Sequence, residues 1–238
     1  MLAAALATAA CASSLAGSSR DAVIRDALKS TVQLRCERDG GVRRSASGVV
    51  IASDVDSRRS WILTTRHFLE PPVTKQEIHV TIPGRKDRLK MNVVALSTDS
   101  DLALLVADGL TLPPVKLKES AKLGDDVWIV AFPWGRRLTV VGGTVSQITG
   151  EAGDAPLEGP ARMVDASVSY GASGGGVFDA ASGALIGVVE SHRTARVTTP
   201  GPPEHTIEIP VPGETTLISS ESILRFVERA GLEQLMRK

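Results

Sequence analysis

The sequence predicts an all-β chain of two small barrels closed by a C-terminal helix. Three observations carry this reading. Short apolar runs recur along the chain, among them "SWILTT" (60–65), "EIHVTI" (77–82), "LALLVA" (102–107), "DVWIVAF" (126–132) and "GALIGVVES" (183–191). Most are bounded by Gly, Pro, Asp or Ser, the spacing of a sandwich or barrel rather than of alternating strands and helices. Pro113-Pro114 then divides them into two groups of similar style. A helical period appears only near the two ends.

In order, Asp21–Ser30 places Val23, Ile24, Ala27 and Leu28 on one helical face. The run 31–36 ("TVQLRC") alternates as a strand. A polar turn through Asp39, Gly40 and Gly41 leads into "VRRSASGVVIAS". After the double proline, "TVVGGTVSQI" (139–148), "MVDASVS" (163–169) and "TIEIPV" (206–211) also read as strands. In "MVDASVS", Val164, Ala166 and Val168 share one face while Asp165, Ser167 and Ser169 share the other. Two insertions, "GEAGDAPLEGP" (150–160) and "TTPGPPEH" (198–205), separate strands. Ser220 can cap a last helix with Ile223, Phe226, Val227 and Ala230 on one face, stopped by Gly231. The expected units are an N-terminal barrel at about 30–112, a C-terminal barrel at about 120–218 and the closing helix at 220–230.

Composition removes several function classes. Lys+Arg and Asp+Glu each number 27, so no net basic field invites nucleic acid. Aromatic residues are 3% of the chain, too sparse for base-stacking platforms. No apolar run reaches the roughly 18 residues of a spanning helix. Two cysteines, Cys11 and Cys36, are too few for a disulfide scaffold or a cysteine-rich zinc site, and no metal or cofactor is expected. Residues 1–19 are apolar and small, then rich in Ser, Ala and Gly, as in a secretory leader. Cys11 after Thr8-Ala9-Ala10 resembles a bacterial lipoprotein signal, which would make it the lipidated residue. The expectation is export, to the periplasm or as a cell-envelope lipoprotein, with a secreted protein as the alternative.

The stretch "GASGGG" (171–176) is the chemical focus. A phosphate loop would end in Gly-Lys-Ser/Thr, and Val177-Phe178 follows instead. The pattern Gly-x-Ser-x-Gly is met by Gly171, Ser173 and Gly175, and becomes informative with a base and an acid elsewhere. A serine hydroxyl needs both, because it is a poor nucleophile at neutral pH. His67 follows the strand "WILTT" and opens a turn, where a side chain is both held and exposed. His79 lies mid-strand, His205 in the proline-rich loop, and His192 at a strand end near the candidate site. In "STDSDLALLVA", Asp101 precedes the apolar run and can enter the core edge, while Asp99 reads as a turn residue. The order His67, Asp101, Ser173 excludes the α/β-hydrolase order of Ser, acid, His, and so disfavours an esterase of that fold.

"SGVVIASDVDSRRSWILTTRHFL", "DSDLALL", "GDDVWIVAFPWG" and "DASVSYGASGGGVFDAASGALIGVV" together resemble the trypsin-like (chymotrypsin-fold) serine peptidases, in particular their bacterial HtrA-type branch, here without a PDZ domain. The resemblance covers roughly residues 20–230. It implies two six-stranded antiparallel β-barrels and a C-terminal helix. It implies that His67 is the general base, Asp101 orients it, and Ser173 attacks the carbonyl. The N–H groups of Gly171 and Ser173 would form the oxyanion hole. Ser167 would stand at the base of the specificity pocket, with Glu190, Ser191 and His192 along the substrate strand. Two departures stand out: Ala172 replaces a polar residue before the nucleophile, and Arg66 precedes His67. The expected activity is a serine endopeptidase acting on protein or peptide substrates, with no nucleic-acid partner. The alternative is a catalytically silent module that binds proteins or acts as a chaperone.

Overall fold

The computed structural model describes residues 19–38, 41, 43–70, 76–85, 88–150, 156–199, 201 and 205–237. Residues 1–18 of the predicted leader, Cys11 among them, lie outside them. The described chain opens with α1 (Arg20–Ser30), capped by the Ser19 side chain, which accepts from Ala22 N. The first barrel is built from β1 (Thr31–Arg38), β2 (Arg43–Asp54), β3 (Arg59–Thr65), β4 (Gln76–Thr81), β5 (Arg88–Leu96) and β6 (Leu102–Asp108). It closes in the order β1-β2-β3-β6-β5-β4. Beyond the linker come β7 (Ala121–Lys122), β8 (Asp126–Ala131), β9 (Thr139–Ile148), β10 (Glu158–Gly159), β11 (Ala161–Asp165), β12 (Gly176–Asp179), β13 (Leu185–Thr199) and β14 (His205–Ser219). Six of these close a second barrel in the order β11-β14-β13-β12-β8-β9, while β7 and β10 form a small separate pair. All ladders within the barrels are antiparallel. The chain then enters α2 (Ser220–Arg229). The all-β expectation and the C-terminal helix therefore hold.

The continuous apolar runs have a physical cause. In β2, Ala46 and Val50 point into the first barrel, while Val49 and Ile51 point out into a second apolar cluster. In β6, Ala103, Leu105 and Ala107 face the first barrel's interior and Leu102 and Leu104 face the other way. That outer cluster is the seam between the barrels. It also takes Val130, Phe178, Leu185 and Val188 from the second barrel and Ile223, Phe226 and Val227 from α2. A strand buried on both faces needs no polar alternation. The second barrel has its own interior around Val127, Ile129, Val164, Val177 and Ile186.

Several local expectations are corrected. Ser219, not Ser220, caps α2, accepting from Ser222 N, and Ser220 instead donates its hydroxyl to Lys118 O at 2.6 Å. β11 stops at Asp165, so "MVDASVS" is strand only in its first half, although Ala166 stays buried. His205 is not in a loop but starts β14, paired with Thr199. β5 is a strand that apolar periodicity does not announce, because Met91 is its one buried residue.

Candidate active site

The site lies where the two barrels meet. His67 falls in a short 3₁₀ turn (Arg66–Leu69) directly after β3, and Asp101 immediately precedes β6. Since β3 and β6 pair with Thr65 opposite Leu102, the ladder brings the two side chains together. His67 Nδ1 lies 2.5 Å from Asp101 Oδ2, and the His67 backbone N–H donates to Asp101 Oδ1 at 2.7 Å. An ionised carboxylate can only accept, so this contact places the imidazole proton on Nδ1 and leaves Nε2 as the acceptor. Asp99 is not in this contact. It pairs with Arg229 of α2. Arg66 braces the same loop: its N–H donates to Asp101 O at 3.1 Å and its guanidinium to Ser97 O at 2.5 Å. The departure at Arg66 is thus structural support for the loop that carries Asp101.

Ser173 comes from the loop between β11 and β12. The four carbonyls from Tyr170 to Ser173 are all held. Tyr170 O accepts from Trp134 N at 2.5 Å, Ala172 O from Gly175 N at 2.8 Å and Ser173 O from Ser47 N at 2.9 Å. Gly171 O accepts from the Ser47 hydroxyl at 2.8 Å. Ala172 N, Gly174 N and Gly175 N donate to Ser169 O, Val189 O and Ala172 O. Among the described residues, Gly171 N and Ser173 N donate to no backbone carbonyl. Two unpaired amides on either side of the bonded Ala172 N–H, on a sharply turned loop, are the layout of an anion-stabilising pocket. The turn requires glycine. Gly171 has φ +88°, and a Cβ there would stand 2.9 Å from Phe132 O and Trp134 N. Gly174 has φ +79°, and a Cβ there would collide with Ser47 O and Thr64 Oγ1.

The structure brings His67 and Asp101 together in full contact but does not close the third link. Among the described residues no hydrogen bond joins Ser173 Oγ to His67. Such contacts are commonly loose without substrate and tighten in the substrate complex.

The remaining expected residues are dispersed around this centre. Ser167 is exposed and its hydroxyl accepts from Gly213 N at 3.3 Å. A Cβ on Gly213 would touch the Asp165 carboxylate, so an acidic group stands close to Ser167 through their shared neighbour Gly213. Ser191 is bonded to Thr216 at 2.7 Å through their hydroxyls. His192 packs edge-on against Tyr170 with ring centroids 5.4 Å apart, and Tyr170 in turn packs against Trp134 with centroids 5.3 Å apart and the rings tilted by 56°. Trp134 and Tyr170 are exposed, so the nucleophile loop is rimmed by aromatic surface. Glu190 is half-buried. Burial raises its pKa, the Asp101 charge raises it further, and the Thr216 hydrogen bond, His67 and Arg162 oppose this without cancelling it. Ser47, a buried residue on β2, was not foreseen. Its only trace in the sequence is a small polar residue inside an apolar run.

Comparison with known proteins agrees with this geometry. The family model described as "Trypsin-like peptidase domain" matches residues 46–188. A probable periplasmic serine endoprotease, DegP-like, from Pseudomonas fluorescens is 33% identical over 158 residues, covering 65% of this chain and 30% of that protein. A protein of the same description from a Marinomonas species is 31% identical over 144 residues, covering 60% of this chain and 28% of that one. The chain thus spans under a third of the length of these curated relatives. Among solved structures, the HtrA-type protease AlgW with a tripeptide superposes with a TM-score of 0.66 at 21% identity, covering 90% of this chain and 64% of that one. The serine endoprotease from Yersinia pestis superposes with a TM-score of 0.65 at 22% identity, covering 92% and 67%. With the match running over residues 46–188, more than half of the chain, the chain belongs to the family of trypsin-like peptidase domains.

Proposed function

We propose that the chain is a serine endopeptidase whose machinery is His67, Asp101, Ser173 and the amides of Gly171 and Ser173. The observation that supports this most is the pairing of a fixed His67–Asp101 contact with a loop that leaves those two amides free. In this reading Ser173 Oγ bonds to the scissile carbonyl carbon while its proton passes to His67 Nε2. The oxyanion accepts hydrogen bonds from Gly171 N and Ser173 N. Collapse breaks the C–N bond, His67 returns the proton to the leaving amine, and an acyl-enzyme remains. Water then repeats the sequence and frees Ser173. Asp101 holds the tautomer and offsets the imidazolium charge.

The test is covalent labelling by a fluorophosphonate, which reacts with an activated serine. The wild type is expected to label and Ser173→Ala to lose both labelling and hydrolysis, the latter on the order of 10⁴–10⁶-fold. An Ala variant that labels as well as the wild type would sink the assignment. The open link between Ser173 and His67 favours a second reading, a silent module that binds proteins, and an unlabelled but folded wild type would establish it.

Specificity and location complete the proposal. Ser167 offers no carboxylate at the pocket base, and an unpaired cation is costly to desolvate, so cleavage follows small or medium aliphatic residues such as Val or Ala. Asp165 beside Gly213 is the observation that favours the opposite preference. A peptide library cut chiefly after Lys or Arg, with that preference lost in Asp165→Asn, would replace the first reading with the second. The periplasmic description of the relatives supports export, with Cys11 as the site of any lipid anchor. Mass spectrometry of the mature N-terminus decides between lipidated Cys11 and a soluble form.

A further inference from the structure

β13 and β14 run well past the barrel they help to close. Each has 15 residues, yet β12 pairs with β13 no further than Val188, and β11 pairs with β14 only at Thr215 and Thr216. From Thr194 opposite Pro210 to Thr199 opposite His205, the two strands pair, among the described residues, only with each other. The register slips twice at the base, between Val189 and Ser191 and between His192 and Thr194, so the ribbon bends as it leaves the barrel. Its two faces differ. Ala195 opposite Ile209 and Val197 opposite Ile207 form an apolar face, and Val197, Ile207 and Ile209 are exposed. The other face is satisfied within itself: Arg196 pairs with Glu208 at 3.0 Å, and the hydroxyls of Thr198 and Thr206 lie 3.1 Å apart. The outer edges differ as well. β14 carries Pro210 and Pro212. A proline has no N–H to give, sits in a strand where its nitrogen faces away from the neighbouring strand, and blocks further pairing along that edge. β13 has no proline between Val188 and Thr199, so its outer edge is open. That edge begins at the nucleophile loop. On the side away from β14, Val189 N–H donates to Gly175 O and its carbonyl accepts from Gly174 N, each at 2.8 Å.

We propose that the β13–β14 ribbon is a docking edge for unfolded polypeptide substrates, which add to β13 as a third strand before they are cut. This rests on the peptidase reading. The direction of the chain decides which half of the substrate lies there. β13 runs from the nucleophile loop at Val189 out to Thr199. A strand added antiparallel, as in every ladder of the two barrels, runs from the ribbon's tip back to Ser173. The residues on the ribbon are therefore those that precede the cut. Main-chain hydrogen bonds to the open edge supply affinity with little regard to sequence, and alternate side chains supply preference. Every second residue of the added strand falls on the face of Ala195, Val197, Ile207 and Ile209 and extends it. The favoured substrate thus has apolar residues at alternate positions before its cut. The edge beyond His192 is about 20–25 Å long, so a substrate that uses all of it carries roughly ten residues ahead of the cut. A folded protein has no free strand of that length to offer, and an unfolded chain does.

The experiment measures kcat and KM for fluorogenic peptides that share the residues around one cut and carry from about three to about ten residues before it, or the same lengths after it. The proteins are the wild type, a chain in which residues 195–209 are replaced by an Asn-Gly turn, and the double substitution Ile207→Thr with Ile209→Thr. Thr194 and Pro210 are opposite one another, so a two-residue turn can join them. Lengthening before the cut is expected to raise wild-type kcat/KM about 10–100-fold, chiefly through KM, because the added contacts are the same in the bound and transition states. The shortened chain should lose this gain and still cleave the shortest peptide within about twofold of wild type. The double substitution keeps strand propensity but not the apolar face, and should cut the gain about 3–10-fold for peptides with alternating apolar residues. Equal rates for short and long peptides, a gain confined to residues after the cut, or a gain that survives shortening overturns the proposal. So does a wild-type dimer in sedimentation that the shortened chain no longer forms, since a second copy would then cover the edge. Should the shortened chain fail to label with fluorophosphonate, the double substitution decides, and a full gain retained in it overturns the proposal. Labelling of the wild type reads the peptidase assignment separately. An unlabelled wild type overturns the peptidase reading, whereas a labelled one with no length gain overturns the role of the ribbon alone.

Discussion

Ser47 shows how much of the site rests on a residue that never touches substrate in the proposed mechanism. It is fully buried, and its hydroxyl donates to Gly171 O and accepts from Phe132 N, both at 2.8 Å. Its N–H holds Ser173 O, and its own carbonyl accepts from the Thr64 hydroxyl at 2.8 Å. One β2 residue thereby ties the first barrel to both ends of the Gly171–Ser173 turn. Ser47→Ala would free Gly171 O and loosen the peptide that lies between the two proposed oxyanion donors, so that Gly171 N and Ser173 N lose their fixed spacing. The expected outcome is a kcat about 10–100-fold lower with KM little changed, since the oxyanion bonds form fully only in the transition state. Unchanged kcat in steady-state assays would show that the backbone contacts suffice. The two aspartates separate in the same assay. Asp101→Asn should lower kcat by about 10⁴ through the wrong imidazole tautomer. Asp99→Asn should leave kcat within a few-fold and cost only its pairing with Arg229. The reverse result would show that the wrong aspartate was chosen.

The linker between the barrels is fastened as an element. Lys118 N donates to Leu185 O and Leu185 N to Lys116 O, while Lys118 Nζ reaches the buried Asp179 carboxylate at 2.8 Å. Asp179 ends β12 and also accepts from Ser182 N at 2.8 Å, which shapes the turn into β13. Burial works to raise the Asp179 pKa, but the bonds from Lys118 and Ser182 outweigh it and the net shift is downward. A depressed carboxylate stabilises the fold above its unfolded pKa of about 3.9, and that contribution fades as pH falls through the lower folded value. For Lys118, burial works to lower the pKa, but its carboxylate partners prevail and raise it, so its share persists below about 10.4 and is lost as pH climbs past the folded value. Because Lys118 is partly exposed, solvent screening limits the loss in Asp179→Asn to about 1–2 kcal/mol at neutral pH. Urea denaturation from pH 7 down to pH 2 should show the variant's deficit shrinking toward the acid end, and a constant deficit would exclude the ionised pair as its source. These elements were unevenly legible. Apolar runs announce β2, β3, β6 and β8 because both their faces meet apolar neighbours. β5 stays hidden because its side chains mostly face solvent. The α2 cap was misplaced by one residue because Ser219 and Ser220 are equivalent as text, and only the Lys118 carbonyl assigns Ser220 elsewhere.

At the scale of the molecule, the same distinction explains why the dyad could be read from the sequence and its surroundings could not. His67 and Asp101 sit at the ends of apolar runs, a position that local pattern reveals. The contacts of Ser47 depend on how one barrel meets the other, and the approach of Asp165 to Gly213 on how β11 meets β14, and no local pattern encodes either. The junction is an apolar seam, and its integrity decides whether the first barrel's dyad and the second barrel's serine can act together. Phe178 is fully buried there, beside Val49 and Leu63 of the first barrel's strands and Ile223 of α2 in one continuous cluster. Phe178→Ala should therefore destabilise the whole chain by about 3–5 kcal/mol, or roughly 6–20 °C in Tm for a chain of this size. Trp61 on β3 and Trp128 on β8 give each barrel its own fluorophore. With either one kept in a background where the other tryptophans are Phe, unfolding should give coincident transitions, and Phe178→Ala should shift both by the same amount. If instead the Trp128 transition moved while the Trp61 transition stayed, the barrels would fold independently. The seam would then be an interface between finished units, and the alignment of His67 with Ser173 would depend on docking rather than on the fold itself.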